Sequence, residues 1–328
     1  MEIVGRQVEI GVATEATRGT AETAADKWLR NTTANVVERA THAEDETTRG
    51  VLEEGEGRRV VQKHVEGELA GILHADAIGF FLANLYGIAV SSNVAGSVYS
   101  HVFNMEQNIE HQSLTLFAKD GGVQQLVFDN CMINTLQISA AIDDYVRYTA
   151  SFIGSTAADN ADTPSYDTEY DFIARDIVIK LAASEAGLSG ASAIPAKNVD
   201  FTYDQGLIRD HVVGAREPDD VYNGRMMITG TMELNFTDET YKDLFLGDDA
   251  NYMSITITGE ADLGGGNNPE IELILYKVQI SDWNRSGDAN ELVTQTVGFK
   301  AYFNESDQKQ SQTTIQNLTS AYPNVPSS

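Results

Sequence analysis

The sequence predicts a mainly β protein: two tandem β-sandwich or barrel domains, each with one short flanking α-helix, related by internal duplication. Three observations carry this expectation. Apolar and polar residues alternate with period two over many segments, the mark of half-buried strands. Helical patterning is confined to two short stretches. The same order of elements occurs twice along 328 residues, a length that suits about two domains.

Taken in order, residues 17–57 are mostly polar and read as a long arm or loop. Connections of that length are usually functional. Val61, Lys63, Val65, Gly67, Leu69, Gly71 and Leu73 then share one face of a strand. Residues 75–86 read as a helix, with Gly87 placed as its C-cap. Strands follow at 113–116, 124–138 and 145–153, then a loop rich in Asp, Thr and Ser at 155–170. Residues 182–195, rich in small side chains, are the preferred linker. Met226, Ile228, Gly230, Met232, Leu234 and Phe236 share one strand face. Thr237 is placed to N-cap a helix over 237–246, Asp238 and Glu239 suit its first turn, and Gly247 ends it. Strands are expected at 254–257, 271–283 and 291–303. The polar tail from Ser306 is expected to be mobile until a neighbour orders it. The resulting division is 1–155, first domain; 156–195, connecting segment; 196–305, second domain; 306–328, polar C-terminal tail.

The repeat organises these elements. Gly67-Glu68-Leu69 leads through a strand into a helix ending at Gly87, and Gly230-Thr231-Met232 leads through a strand into one ending at Gly247. Strand parity agrees: Val65 matches Ile228, Leu69 matches Met232, and Leu73 matches Phe236. Ser113-Leu114-Thr115-Leu116 is matched to Ser254-Ile255-Thr256-Ile257, and Leu126 through Ile133 to Leu273 through Ile280. Residues 88–112 have only a short counterpart, whereas Gly264-Gly265-Gly266-Asn267-Asn268-Pro269 is an insertion of the second half. Two such units per chain would place six around a ring of three chains.

Composition narrows the function. Lys plus Arg is 22 against 49 for Asp plus Glu, a net charge of −27. Such a chain repels nucleic acid and anionic membranes. It suits a path along which DNA slides without sticking, or a surface adapted to high salt. The opening residues carry no basic region followed by an apolar run, so no signal peptide is expected. No apolar run approaches the roughly 20 residues of a membrane helix. The single cysteine, Cys131, lies in an apolar segment and reads as a buried small hydrophobe in a reducing compartment.

The six histidines form no HExxH pattern, and no GxSxG elbow or phosphate-binding glycine loop occurs. Asp159, Asp162, Asp167 and Asp171 are oxygen-rich but lack EF-hand spacing. No catalytic residue, cofactor site or metal site is therefore assigned.

The run Val8-Glu9-Ile10-Gly11-Val12-Ala13-Thr14-Glu15-Ala16-Thr17-Arg18-Gly19-Thr20-Ala21 resembles the opening of the major tail tube proteins of long-tailed, siphovirus-like phages or archaeal viruses. Lys27-Trp28-Leu29, Glu66-Gly67-Glu68-Leu69, Asp76-Ala77-Ile78-Gly79 and His111-Gln112-Ser113-Leu114-Thr115 are similar to further family motifs. The segment Gly96-Ser97-Val98-Tyr99-Ser100-His101 departs from the family by lacking a proline. The resemblance covers roughly residues 5–155 by motif and the rest by topology. It implies two tandem tail-tube-like domains in a structural, non-enzymatic virion protein that polymerises with copies of itself into stacked rings. The rings form a tail tube, their strands join in one inner barrel, and genomic DNA passes through the lumen without specific binding. The implied partners are a tape-measure protein and tail-terminator or baseplate proteins, with assembly in the host cytoplasm and no membrane anchor. The implied inter-subunit and inter-ring arm carries Thr17, Arg18, Gly19, Thr20 and Trp28. Glu66 and Glu68, opposite the apolar face of their strand, are the candidate lumen acids; an outward solvated face is the other reading. The alternatives are a capsid decoration or baseplate β-sandwich, and a carbohydrate-binding or hydrolytic module. The last would need aromatic platforms or a carboxylate pair about 5–10 Å apart.

Overall fold

The computed structural model describes residues 2–30, 32–45, 50, 52–53, 55 and 57–322. The first half contains β1 (Val8–Thr14), β2 (Lys27–Leu29), β3 (Thr32–Glu44), β4 (Arg58–Ile72), α1 (Ile78–Tyr86), β5 (Gly87–Ala95), β6 (Val98–Met105), β7 (Leu114–Asp120), β8 (Gln124–Ala141), β9 (Arg147–Gly154) and β10 (Ala157–Asp159). The second contains β11 (Ile177–Ala182), α2 (Glu185–Leu188), β12 (Ala196–Asp204), β13 (Ile208–Asp210), β14 (Asp220–Tyr222), β15 (Met227–Asn235), α3 (Thr240–Gly247), β16 (Asn251–Thr258), β17 (Glu270–Ser286), β18 (Thr294–Ala301) and β19 (Ser311–Asn317). The protein is mainly β, as the alternation predicts.

One sheet runs across both halves in the order β3-β4-β9-β8-β12-β15-β18-β17, all neighbours antiparallel. Its inner face packs on a second layer. That layer comprises β2-β1-β7-β8-β10 on one side and β11-β16-β17-β19-β6-β5 on the other. The long strands β8 and β17 serve both layers. Each shifts register where it passes between them, at Ile133/Thr135 and at Ile280/Asp282. An extra residue on one strand bends it, which is how a single strand turns a sandwich corner.

The two halves share a pairing scheme. β1 pairs with β7, then β8, β9, β4 and β3 follow; β11 pairs with β16, then β17, β18, β15 and β12 follow. Gly67 lies opposite Phe152, as Gly230 lies opposite Phe299. A Cβ on Gly67 would come within 2.5 Å of the Asn35 carbonyl oxygen, and one on Gly230 within 2.5 Å of the Asp200 carbonyl oxygen. Each glycine lets an aromatic ring lie flat across the strand. The register corrects one sequence match. Leu114 and Leu116 oppose Cys131 and Phe128, and the strand positions that meet the corresponding part of β17 are Asn251 and Met253, opposite Val278 and Leu275. The alternation of residues 254–257 is real, but it lies further along β16.

A single apolar core joins both halves. At its centre is α1, buried at all nine positions. A helix that is apolar nearly all round belongs inside, and the buried Asn84 of α1 accepts from the Ile133 amide at 2.8 Å. Gly87 closes it with φ +82°. By contrast, α3 has no fully buried residue. It begins at Thr240, later than expected, because the Asp238 carboxylate, not Thr237, accepts from the Thr240 amide at 3.0 Å. Its chain reversal falls on Asp248, with φ +55°, one residue beyond Gly247.

Three expected loops contain strands. Within 17–57, β2 and β3 form, and β3 pairs with β4 along its length. Its residues are mostly exposed on both faces, so no apolar alternation announces it. Within the expected connecting segment 156–195, β11 pairs with β16 and is the outer strand of the second half. Residues 306–322 of the expected tail are also ordered, through β19 between β17 and β6, and 323–328 lie outside the described residues. Ser311, Thr313, Ile315 and Asn317 point inward, and only Ile315 is apolar. The polar three are satisfied instead: Tyr86 Oη hydrogen-bonds Ser311 Oγ (2.9 Å) and Thr313 Oγ1 (3.0 Å), and Asn317 Nδ2 donates to the Ala75 carbonyl (2.9 Å). Beyond β19, Tyr322 stacks edge-on against Phe80 at 5.2 Å, and its hydroxyl donates to the Asp76 carbonyl. A side chain at Gly79 would collide with the Tyr322 ring.

The glycine–aromatic packing sets a stability prediction. Gly67→Ala, which pushes a methyl against a fixed backbone carbonyl and the Phe152 ring, lowers stability by about 1–3 kcal/mol. The expected reading is a lower urea midpoint with unchanged slope. Gly5→Ala, with nothing within 4 Å, leaves the midpoint in place.

Candidate lumen face and assembly edges

Directly opposed residues of antiparallel strands share a face, so the registers trace the outer face of the cross-chain sheet. From Glu68 it runs to Asn35 on one side and to Ser151 and Thr135 on the other. From Glu66 it runs to Val37 and Ile153. The second half continues it through Asp200, Thr202, Asp204, Thr229, Thr231, Glu233, Thr296, Lys300, Asp282 and Asn284. This face is built mainly of small hydroxyl, amide and acidic side chains, with Arg39, Arg147 and Lys300 as its basic members and Val37 and Ile153 as apolar ones. The core is on the other side, where Val65 and Leu69, the β4 neighbours of Glu66 and Glu68, are fully buried.

Its polar groups satisfy one another across strands. Thr135 Oγ1 and Ser151 Oγ are 2.6 Å apart, Thr231 Oγ1 donates to Asp200 Oδ1 at 2.6 Å, and Asn198 Nδ2 donates to Glu233 Oε2 at 2.8 Å. Arg39 Nε donates to Glu66 Oε1 at 2.7 Å. That guanidinium holds the Glu66 carboxyl below the usual carboxylate range. Glu68 is exposed.

The sheet ends in two edges. β3 pairs with β4 alone, and residues 282–286 of β17 pair with β18 alone, among the described residues. Long free edges attract other strands. Behind β3 lies a cavity of about 260 Å³, lined among others by Ala34, Val36, Val8, Ile10, Leu126 and Phe128.

The arm residues are engaged within their own chain. The Thr20 amide donates to the Thr17 carbonyl at 3.0 Å, closing a turn in which Gly19 takes φ +72°, a conformation that glycine adopts freely. Arg18 Nε donates to both Asp220 carboxylate oxygens at 2.9–3.0 Å, and its Nη atoms donate to the carbonyls of His111 and Val221. Burial works against the Asp220 carboxylate, but Arg18 and Asn130 outweigh it and hold the group below its usual range. The arm of the first half is thereby fastened to β14 of the second. Trp28 is buried against Phe117, ring centroids 6.1 Å apart.

Beside the turn, Glu15 is fully buried. Its carboxylate accepts from the Gly19 amide (2.7 Å), the Asn130 amide (2.7 Å), Ser113 Oγ (2.5 Å) and Thr115 Oγ1 (3.2 Å). Burial pushes its carboxyl up to about 7, against the pull of these donors. Sequence reasoning gave no role to Glu15, Asn130 and Asp220, because buried polar groups satisfied by distant partners have no periodic signal.

Among the described residues, no group of three or more His, Cys, Asp or Glu side chains is arranged to hold a metal ion. Cys131 is free and fully buried, and burial pushes its thiol well up. No helix of the described residues is long and apolar enough to cross a membrane.

The raised Glu15 carboxyl fixes a pH dependence. Between the ordinary value of 4.5 and about 7 the folded chain holds this proton more tightly than the unfolded chain. Its contribution is therefore complete below 4.5 and is lost as pH rises through 7. Relative to Glu15→Gln, the wild-type urea midpoint falls as pH is raised from 4.5 to 7.5, and the difference between the two levels off outside that window.

A search of the curated proteins finds no match. The family model described as phage tail tube protein matches residues 5–301, from just before β1 through the end of β18. With nearly the whole chain covered, and a β-rich fold of the kind its motifs imply, the protein belongs to the phage tail tube protein family.

Proposed function

We propose that this structural tail protein polymerises into rings, that the rings stack into the tail tube, and that the viral genome passes through the lumen. The observation that carries the proposal is the sheet β3-β4-β9-β8-β12-β15-β18-β17. It has a core on one face, a polar and acidic face on the other, and an open edge at each end. Joining edge to edge satisfies the free backbone groups and removes the edges altogether. In a closed ring the polar face lines the lumen, with Glu66, Glu68, Asp200, Asp204, Glu233 and Asp282 on it. Like charges repel, so phosphates do not lodge on such a wall. The subunit does no chemistry in this role.

The two halves are, in this reading, duplicated units, so a trimer gives a ring with six-fold pseudo-symmetry. The shared pairing order, the paired bulges in β8 and β17, and the Gly67–Phe152 and Gly230–Phe299 contacts support it. In the arm of Thr17, Arg18, Gly19, Thr20 and Trp28, Arg18 serves assembly by locking the first half to the second through Asp220, while Trp28 anchors the arm on Phe117 of its own half. Contact between stacked rings falls to the projecting β3–β4 hairpin, whose distal residues are exposed on both faces. A tape-measure protein in the lumen and terminator or baseplate proteins at the tube ends complete the set of partners. The site of action is the virion tail, with assembly in the host cytoplasm.

Negative-stain electron microscopy of the purified protein, over a range of concentration and salt, tests this. The expected objects are rings or striated tubes with a central hole, each ring a trimer with six lobes. Rings of six separate chains would overturn the trimer, and monomers under every condition would overturn the ring.

A further inference from the structure

The chain already contains one junction of the kind a ring needs. β8 of the first half pairs with β12 of the second, with Thr135 opposite Asp204, Gln137 opposite Thr202 and Ser139 opposite Asp200. The registers give the counterparts of these residues at the two open edges. β8 corresponds to β17 through the shared bulge: Ile133 opposes Phe152 and Ile280 opposes Phe299, and after the extra residue Thr135 opposes Ser151 as Asp282 opposes Gly298. β12 corresponds to β3 through the two glycines: Phe201 opposes Gly230 as Val36 opposes Gly67. Three residues further on, Asp204 corresponds to Arg39.

We propose that β17 of one copy pairs antiparallel with β3 of a second copy in the register of this internal junction, with Asp282 directly opposite Arg39. The inference rests on the ring reading above and specifies its seam. In this register Asn284 meets Val37 and Ser286 meets Asn35, all on the polar face. Arg39 and Asp282 carry opposite charges, and directly opposed unlike charges favour a pairing. On the other face Glu38 meets Trp283 and lies diagonal to Arg285, a second pair of opposite charges. Arg39, Glu38, Asp282 and Arg285 belong to the two edges and lie on exposed positions, Arg39 beside Glu66 and Arg285 over the Phe236 ring within their own chain.

The helices support the same placement. At the internal junction α1 reaches across to β12, with Tyr86 and Tyr203 ring centroids 6.0 Å apart, and all of α1 is buried. At the open edge α3 lies on β17, tied by Gln279 Nε2 donating to the Asp248 carbonyl at 2.7 Å. It is left uncovered, with Leu246 68% exposed. The second copy brings to it β3 and the cavity behind Ala34 and Val36.

Cysteine pairing tests the register. Directly opposed Cα atoms are about 4.5–5.5 Å apart, within the roughly 4.4–6.8 Å that a disulfide spans. Full-length Arg39→Cys/Asp282→Cys protein, assembled and then oxidised, is expected to link into covalent multimers on non-reducing gels. Arg39→Cys/Asn284→Cys, displaced by two residues on the same face, is expected not to. The native Cys131 is buried and does not interfere. Charge reversal gives a second reading: Asp282→Arg raises the concentration needed for assembly by about tenfold or more, and adding Arg39→Asp restores it. Assembled rings that link through 39 and 284, or that ignore both reversals, overturn this register and leave the ring standing. Wild-type chains that never assemble overturn the ring and the seam with it.

Discussion

A strand in the middle of a sheet has its backbone groups paired on both sides, and a strand at the edge leaves one row to find partners elsewhere. In this protein the sheet that crosses both halves ends at β3 and at the C-terminal part of β17, and neither of these segments pairs with a further strand among the described residues. Natural proteins avoid such edges unless they use them. Much else in the structure follows from presenting these two edges at a fixed separation and orientation. The single core, the buried α1 and the bent strands β8 and β17 hold the sheet to one curvature.

The connections between the halves serve the same end. Arg18 pins the N-terminal arm to Asp220, and β19 returns from the C-terminal end to lie between β17 and β6. Tyr322 then seats over Gly79 at the start of α1. The first half is thus closed by residues of the second and the second by residues of the first. Independent domains would swing about a linker; halves sharing one core and one sheet present their two edges as a rigid pair, which a ring of constant diameter requires.

The sequence made the strands with one buried face legible. Val65, Leu69, Ile228, Met232 and Leu234 alternate as they should, and the core contains all of them. Gly87 marked the end of α1 because glycine accepts the positive φ found there. Two of the strands that stayed hidden lacked an apolar stripe, whereas β11 (Ile177, Ile179, Leu181) and β12 (Val199, Phe201, Tyr203) carried one and were passed over. β3 sets only Ala34 and Val36, each partly buried, against the core, and the rest of the strand is largely exposed, so its pattern reads as a polar arm. β19 buries hydroxyls and an amide that find partners, so its pattern reads as a polar tail. For the candidate site, Glu66 and Glu68 fall on the polar sheet face by strand parity alone. Arg39 and Asp282 carried no signal, because their pairing depends on register between strands more than two hundred residues apart. The arm motif was visible as a motif, but its contacts to Asp220 and Asn130 needed the fold.

The central claim is that the edges at β3 and β17 are closed by copies of the chain. Amide hydrogen exchange, compared between monomer and assembled protein, tests it most directly. The account predicts that peptides covering residues 32–40 and 282–286 exchange quickly in the monomer and become strongly protected on assembly, while peptides from β9, already paired on both sides, change little. Assembly that leaves both edges exchanging as fast as before would contradict it.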